Sequence, residues 1–192
     1  MSFFSSRRER RLWSALVIVL VAIYATLGHA PAIAAMLRER NQLTEAMVFA
    51  SLVTLVAIAV LFVRKRPARA ELAVWAGILP VYLMAWLRIG VGTPEERTHL
   101  FEYSLVAALV HEALLERQEN GRHVPAPAIL ALIVSILLGW LDEGIQSLLP
   151  NRVHDMMDVL FNTLAATTII GARCVLEFLR RRVQARRGGS GN

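Results

Sequence analysis

The sequence predicts an all-α membrane protein, a polytopic bundle of about six transmembrane helices with both termini in the cytoplasm. Of the 192 residues, 56% are hydrophobic and the mean hydropathy is +0.49, whereas soluble domains contain about 45–50% apolar residues. The charged residues are concentrated in short blocks that separate long apolar runs. This pattern indicates a membrane protein rather than a soluble protein with a large core, and the length suits one compact domain.

Six segments are apolar enough to cross a bilayer, which takes about 20 residues of helix for a hydrocarbon core roughly 30 Å thick. Their bounds are about 12–37, 43–63, 71–89, 95–115, 127–149 and 155–179. Turn-forming residues interrupt the chain between them, as at Gly92-Thr93-Pro94 and Pro150-Asn151. The predicted organisation is therefore a basic N-terminus, a helix bundle and a basic tail, at residues 1–11, 12–179 and 180–192.

Arginine and lysine residues lie mainly on one side of the predicted bundle. With the N-terminus inside, the inner segments carry fifteen of them, and the outer loops carry four, Arg38, Arg40, Arg97 and Arg152. Because cytoplasmic loops have an excess of basic residues, this bias places both termini in the cytoplasm. The basic residues behind the net charge of +6 are then explained by the orientation of the protein in the membrane. We expect a multi-pass protein of the inner (cytoplasmic) membrane, with membrane lipids and other membrane proteins as partners and no nucleic acid.

The first segment has one alternative interpretation. Its preceding arginines, its apolar run and Ala32-Ile33-Ala34 resemble a secretory signal with a small-residue cleavage site. The apolar run is long for a signal, which favours a retained helix. Cleavage would leave the orientation of the later helices unchanged.

The fourth segment is too polar to face lipid. Its uninterrupted apolar stretch covers only residues 103–110, between Glu102 and His111. Because a charge near the bilayer centre costs at least ~2.5 kcal/mol, we expect this helix to be buried among its neighbours. His111, Glu112 and Glu116 lie toward its cytoplasmic end, where we expect them to reach interfacial water.

Ionisable and amide side chains are concentrated at the predicted outer ends of the third to sixth segments. On the fifth segment, Asp142 and Gln146 lie four residues apart and share a helix face. On the sixth, Asp155, Asp158 and Asn162 follow the spacing i, i+3, i+7 of one helical stripe. A short turn joins these two segments, so their polar faces should meet. The predicted ligand-binding residues are Arg88, His99, Glu102, Tyr103, Asp142, Glu143, Gln146, Arg152, Asp155, Asp158 and Asn162.

Each of these residues also has a structural interpretation. Asp155, at a helix start, can act as an N-cap. Arg88 and Arg152 can pair with the acids, and Asp142 can be solvated at the membrane interface. Burying so many ionisable groups at membrane depth is unfavourable in free energy. This favours a functional site for the cluster as a whole.

The polar pattern resembles the VanZ-like family of bacterial membrane proteins. The resemblance covers roughly the C-terminal two-thirds, residues 70–179, and depends on the stretches 99–103 and 139–152 and on the polar residues that follow. The family's motif residues map onto His99, Tyr103, Glu143, Gln146, Arg152, Asp155, Asp158 and Asn162. One departure is that Ala165 and Ala166 stand where the family pattern has a glycine, although alanine still permits close helix packing.

The resemblance implies a role in the bacterial cell envelope. The family takes its name from a member associated with low-level resistance to the glycopeptide teicoplanin. The family has no settled biochemical activity, so the resemblance implies neither a particular reaction nor antibiotic resistance for this chain.

Three kinds of function are compatible with the sequence. The first is an extracytoplasmic site for a lipid headgroup or a lipid-linked cell-wall precursor, with Arg88, Arg97 and Arg152 holding phosphate oxygens. The second is a membrane enzyme that acts on a lipid phosphate with a divalent ion. The third is a structural partner in a membrane assembly, in which the polar stripe holds helices together.

The enzyme interpretation names candidate residues but no cofactor. Asp155, Asp158, Glu143 and His99 could assist a divalent ion, yet their spacing matches no metalloenzyme signature, so the sequence predicts no metal site. Transport is disfavoured because the polar groups gather at one side of the bundle, with Arg173 alone deep in the sixth segment.

Overall fold

The protein is mainly helical in the part of the chain that the computed structural model describes. These are residues 3–27, 29–43, 45–46, 49, 72, 74, 79, 94–148 and 156–188, and none of them forms a strand. Five helices lie within them: α1 (Arg7–Leu27), α2 (Ala30–Glu39), α3 (Pro94–Glu119), α4 (Pro127–Gln146) and α5 (Met156–Gly188). The prediction of an all-α protein is confirmed.

The chain divides into two compact units where the sequence predicted one. The first unit consists of Met1–Gly28 and Glu96–Cys174, and the second of His29–Glu95 and Val175–Asn192. The first unit therefore contains α1, nearly all of α3, the whole of α4 and the first part of α5. All the polar clusters described below belong to this unit.

Two of the described helices are long and apolar enough to cross a membrane. They are α4 and the part of α5 from Met156 to Arg182, with mean hydropathies of 2.0 and 1.6. The face of α4 that is exposed carries Ile129, Ile133 and Leu137, and its buried residues are small or polar. This arrangement is the reverse of a soluble helix and is typical of a helix that faces lipid.

The prediction of one helix over residues 12–37 is wrong. Instead, α1 ends at Leu27 and α2 begins at Ala30, with Pro31 in its first turn. Proline has no N–H to donate to the preceding turn, so it is tolerated at a helix start and not inside a continuous helix.

The later segments agree more closely with their predicted bounds. The fourth, fifth and sixth segments correspond to α3, α4 and α5, although α5 continues through the basic tail to Gly188. The predicted segments 43–63 and 71–89 lie outside the described residues, apart from a few isolated positions.

The end of α3 is set by a glycine. Gly121 has a φ of +78°, which glycine adopts without the steric cost of a side chain. The N–H of Gly121 donates to the carbonyl of Gln118 at 3.0 Å, and that of Arg122 donates to Arg117 at 3.2 Å. These two bonds form a Schellman motif, which satisfies carbonyls at the end of the helix.

The core of the first unit is built around α3, as its polar sequence led us to expect. Tyr103, Val106, Ala107 and Val110 are fully buried, and they recur at intervals of three and four residues on one face. The buried apolar residues packed with this face from the other three helices are Leu16, Ile23, Ala131, Ala166 and Ile170.

Candidate functional site

The inner face of α4 carries a buried acid paired with an amide. Nε2 of Gln146 donates to Oδ2 of Asp142 at 3.0 Å, across one helical turn, as the four-residue spacing predicted. Asp142 has no exposed surface, and Glu143 and Gln146 are each 2% exposed. The interpretation of Asp142 as a solvated interfacial residue is therefore wrong, because α3 and α5 cover this face of the helix.

A tyrosine on α3 connects that helix to the acid on α4. The hydroxyl of Tyr103 donates to the backbone carbonyl of Leu138 at 3.0 Å, and it also interacts with the carboxylate of Asp142. A buried tyrosine needs a partner for its hydroxyl, and this one finds it on the neighbouring helix.

An asparagine on α5 meets the other two helices at a glycine. A Cβ placed on Gly139 would lie 3.3 Å from Cβ of Asn162, 3.5 Å from its Nδ2 and 3.6 Å from Cε1 of Tyr103. The missing side chain therefore lets α3, α4 and α5 converge at this level. Asp158, one turn before Asn162 on α5, is also buried, with 6% exposed.

The amide of Asn162 is the unusual feature of this region. Asn162 is 2% exposed, and neither its Nδ2 nor its Oδ1 has a hydrogen-bond partner among the residues that the structure describes. A buried polar group without a partner costs about 1–3 kcal/mol. Such a group therefore needs an explanation in function or in bound water.

Tyr24 of α1 belongs to the same site, although the sequence analysis did not include it. It lies close enough to Asp142 and Tyr103 to interact electrostatically with both, and its buried hydroxyl has no hydrogen-bond partner within the described chain. The feature of the sequence that could have indicated it is a tyrosine, an aromatic residue with a polar hydroxyl, near the end of an otherwise apolar helix. We call the whole set the acid–amide cluster, and its members are Tyr24, Tyr103, Asp142, Glu143, Gln146, Asp158 and Asn162.

The structure brings together several of the predicted ligand-binding residues. Contacts and burial place six of them in the acid–amide cluster, namely Tyr103, Asp142, Glu143, Gln146, Asp158 and Asn162. Glu102, beside Tyr103, is partly buried. His99 lies on α3, but its side chain is outside the description, and Arg88, Arg152 and Asp155 lie outside the described residues.

A second polar group, whose ion pairs the sequence did not predict, lies at the other end of the first unit. Nη1 of Arg8 is 2.8 Å from Oε2 of Glu116, and Nη2 of Arg8 is 3.1 Å from Oε2 of Glu112. Arg173 of α5 also pairs with Glu112. These pairs join the start of α1 to α3, and α3 to α5.

A fully buried carboxylate completes this group. Oε1 of Glu9 accepts from Arg117 at 3.0 Å and from Trp13 Nε1 at 3.3 Å, and Oε2 accepts from the backbone N–H and hydroxyl of Ser5 at 2.5 and 2.6 Å. We call the set the ion-pair network. Its charged members are Arg8, Glu9, Glu112, Glu116, Arg117 and Arg173.

The network corrects the expectation for the end of α3 that the sequence predicted to be cytoplasmic. His111 and Glu116 are buried, with 2% and 8% exposed, rather than open to interfacial water. The sequence could not show this because the partners of Glu116, Ser6 at 2.7 Å and Arg8 at 2.8 Å, lie about a hundred residues away in the N-terminal segment.

The ion-pair network lowers the pKa of its carboxyl groups. For Glu9, burial raises the pKa, but the hydrogen bonds from Ser5 and Trp13, together with the charge of Arg117, outweigh it and hold the pKa below the ordinary 4.5. For Glu116, the hydrogen bond from the Ser6 hydroxyl is the main cause of a pKa below 4.5, with burial opposing it.

This depression predicts a loss of stability in acid. A carboxyl group with a lowered folded-state pKa stabilises the fold fully above its unfolded pKa, near 4.5, and this contribution is lost as the pH falls through the lower folded value. We expect the melting temperature of the detergent-purified protein to fall below pH 4.5, and the Glu9→Gln variant to fall less from a lower starting value. Parallel pH profiles for the two proteins would contradict this prediction.

The acid–amide cluster and the ion-pair network are separated by a mostly apolar layer. Tyr103 and Glu112 are nine residues apart on α3, which corresponds to about 13 Å at ~1.5 Å per residue. Val106, Ala107 and Val110 fill the interval on α3 and are fully buried. Ser135 of α4 is a buried polar residue, and its hydroxyl donates to the carbonyl of Ala131 at 2.8 Å.

The chemistry available in the cluster is hydrogen bonding by carboxylate, amide and phenol groups. Within the part of the chain that the structure describes, no three His, Cys, Asp or Glu side chains are placed to hold a metal ion. Comparison of the chain with protein-family models, with curated proteins and with solved structures finds no match.

Proposed function

We propose that this chain is a VanZ-like, multi-pass protein of the inner membrane, and that its acid–amide cluster binds the headgroup of an envelope lipid or a lipid-linked cell-wall precursor. The proposal is supported by the motif residues of the sequence and by the burial of carboxylate, amide and phenol side chains from α3, α4 and α5 in one cluster.

The proposed topology has six transmembrane helices, with both termini in the cytoplasm. Its support is the arginine and lysine bias together with the position of the ion-pair network, which contains Arg8 and Arg117 and lies beside the basic N-terminus. If that end faces the cytoplasm, the acid–amide cluster lies toward the outer leaflet, because α3 carries the two groups about 13 Å apart or more.

The observation that carries the proposal is the unpartnered amide of Asn162. A cluster that served only to hold helices together would be expected to use its buried hydrogen-bonding groups on one another. Asn162 instead keeps a donor and an acceptor without partners among the described residues, and it packs against Gly139, three residues before Asp142 on α4. A ligand group bound there would satisfy both atoms.

The direct test is the lipid that remains bound on purification. We expect native mass spectrometry of the detergent-purified protein to show a retained lipid in the wild type, and about tenfold less of it in Asp142→Asn, because the variant keeps the shape of the side chain and removes its charge. Glu119→Gln, an exposed acid near the end of α3, is the matched control and should retain the lipid.

The same experiment separates ligand binding from a purely structural role. Equal lipid retention in the wild type and in Asp142→Asn would contradict the proposal. If Asp142→Asn also lowered the melting temperature, the cluster would be structural and the chain a partner in a membrane assembly.

A further inference from the structure

The hydrogen-bonding capacity left open in the acid–amide cluster limits the chemistry of its ligand. This inference rests on the proposed function, since it names the group that the site would bind. Two side chains of the cluster carry buried atoms without partners in the described part of the chain, the amide of Asn162 and the hydroxyl of Tyr24. They come from α5 and α1, so they enter the site from two different helices.

The buried atoms without partners, which we call the open atoms, can be satisfied together only by a ligand group that both donates and accepts hydrogen bonds. Nδ2 of Asn162 can only donate, its Oδ1 can only accept, and the hydroxyl of Tyr24 can do either. An ammonium group has donors and no acceptor, so it would leave Nδ2 without a partner. A phosphate oxygen accepts and does not donate, so it would leave Oδ1 without a partner, and it would add a second negative charge to a cluster that already holds the buried carboxylate of Asp142.

A hydroxyl group meets both requirements, and a pair of adjacent hydroxyls can meet them at the same time. One hydroxyl of the pair can accept from Nδ2 of Asn162 while its neighbour donates to Oδ1, so that the two together cover the edge of the amide. Each hydroxyl then keeps further capacity to donate to the Asp142 carboxylate or to bond with Tyr24. Such a group is uncharged, so it adds no charge to a buried site.

We propose that the acid–amide cluster recognises a vicinal diol in the headgroup of its lipid ligand, as found in a terminal glycerol or a sugar ring. Asn162 is the residue that selects the diol, and Tyr24 and Asp142 orient it. Gly139 is required beside it, because a side chain there would meet Cβ and Nδ2 of Asn162.

The test compares lipids that share acyl chains and differ in the headgroup. The full-length protein in detergent is titrated with monoglucosyldiacylglycerol, phosphatidylglycerol, phosphatidylethanolamine and phosphatidic acid, and binding is measured by native mass spectrometry. We expect at least one of the two diol lipids to bind about tenfold tighter than the two lipids without a diol. Preference for the glucolipid alone identifies a sugar ring as the source, and preference for phosphatidylglycerol alone identifies glycerol.

Two variants test whether the preference for diol lipids depends on the unpartnered atoms of Asn162 and Tyr24. Asn162→Leu keeps the approximate size of the side chain and removes no hydrogen bond within the described chain, so it should fold and lose the preference for diol lipids. Tyr24→Phe keeps the ring and should weaken the preference. Thr167→Val, an exposed position on the same helix as Asn162, is the matched control and should leave the preference intact.

The outcomes distinguish this inference from the function on which it rests. Tightest binding of phosphatidylethanolamine or phosphatidic acid, weakened by Asp142→Asn, would overturn the diol and leave lipid binding in place. A diol preference that persists in Asn162→Leu and Tyr24→Phe would overturn the assignment, since water alone would then occupy the open atoms. Binding of none of the four lipids would overturn both.

Discussion

Replacement of Gly139 by leucine is expected to destabilise the first unit by about 3 kcal/mol, at the upper end of the range for overpacking a tight core. Even a Cβ at this position would lie 3.3 Å from Cβ of Asn162 and 3.6 Å from the ring of Tyr103. The rest of a leucine side chain would have to displace α3 or α5. The hydrogen bond from Tyr103 to Leu138 would then lengthen or break.

Gly144 provides a control on the same helix. A Cβ at Gly144 would meet nothing within 4 Å, and the residue is exposed. Gly144→Leu should therefore change stability by no more than about 0.5 kcal/mol. The measurement is unfolding of each purified variant by a titration with denaturing detergent in mixed micelles. Similar midpoints for Gly139→Leu and Gly144→Leu would contradict the close approach of the three helices.

Local spacing in the sequence was sufficient for the pairs within one helix. The Asp142–Gln146 hydrogen bond follows from a four-residue separation on α4. The burial of α3 followed from its polarity, because a helix with that many charges cannot face lipid. In both cases the physical cause acts within a single helix, so the sequence of that helix is sufficient to predict the result.

Contacts between distant segments could not be predicted in the same way. Tyr24 reaches the cluster because α1 packs in the same unit as α3 and α4, and no spacing in the sequence encodes that. The arginines of the N-terminus were interpreted only as orientation signals. The structure gives Arg8 a specific role as well, since it bonds to Glu112 and Glu116.

The ion-pair network also offsets an electrostatic problem at the start of α1. Four arginines lie in the first turns of this helix, where the positive end of the helix dipole disfavours positive charge. Glu9 is the acidic residue in that first turn, and Arg8 directs its charge toward the acids of α3. Arg117 lies in the last turn of α3, where a positive charge is favoured.

Replacement of Glu9 by alanine is therefore expected to destabilise the protein by about 3 kcal/mol. Hydrogen bonds to charged groups contribute about 1.5–3 kcal/mol each, and Glu9 accepts four of them from Ser5, Trp13 and Arg117. The loss is smaller than their sum because the Arg117 side chain, 29% exposed, can turn part of its charge to water.

Arg10→Ala is the matched control for Glu9→Ala, because Arg10 is an exposed charged residue next to Glu9 on α1. It should change stability by no more than about 0.5 kcal/mol. Glu9→Gln should fall between the two, since an amide can still accept from Ser5 or Trp13 but does not pair with Arg117 as an ion. If Glu9→Ala unfolded at the same midpoint as Arg10→Ala, the N-terminal segment would not be held to α3 by this carboxylate. The attachment of this segment to α3 would then depend on the contacts of Ser6 and Arg8 with the acids of α3.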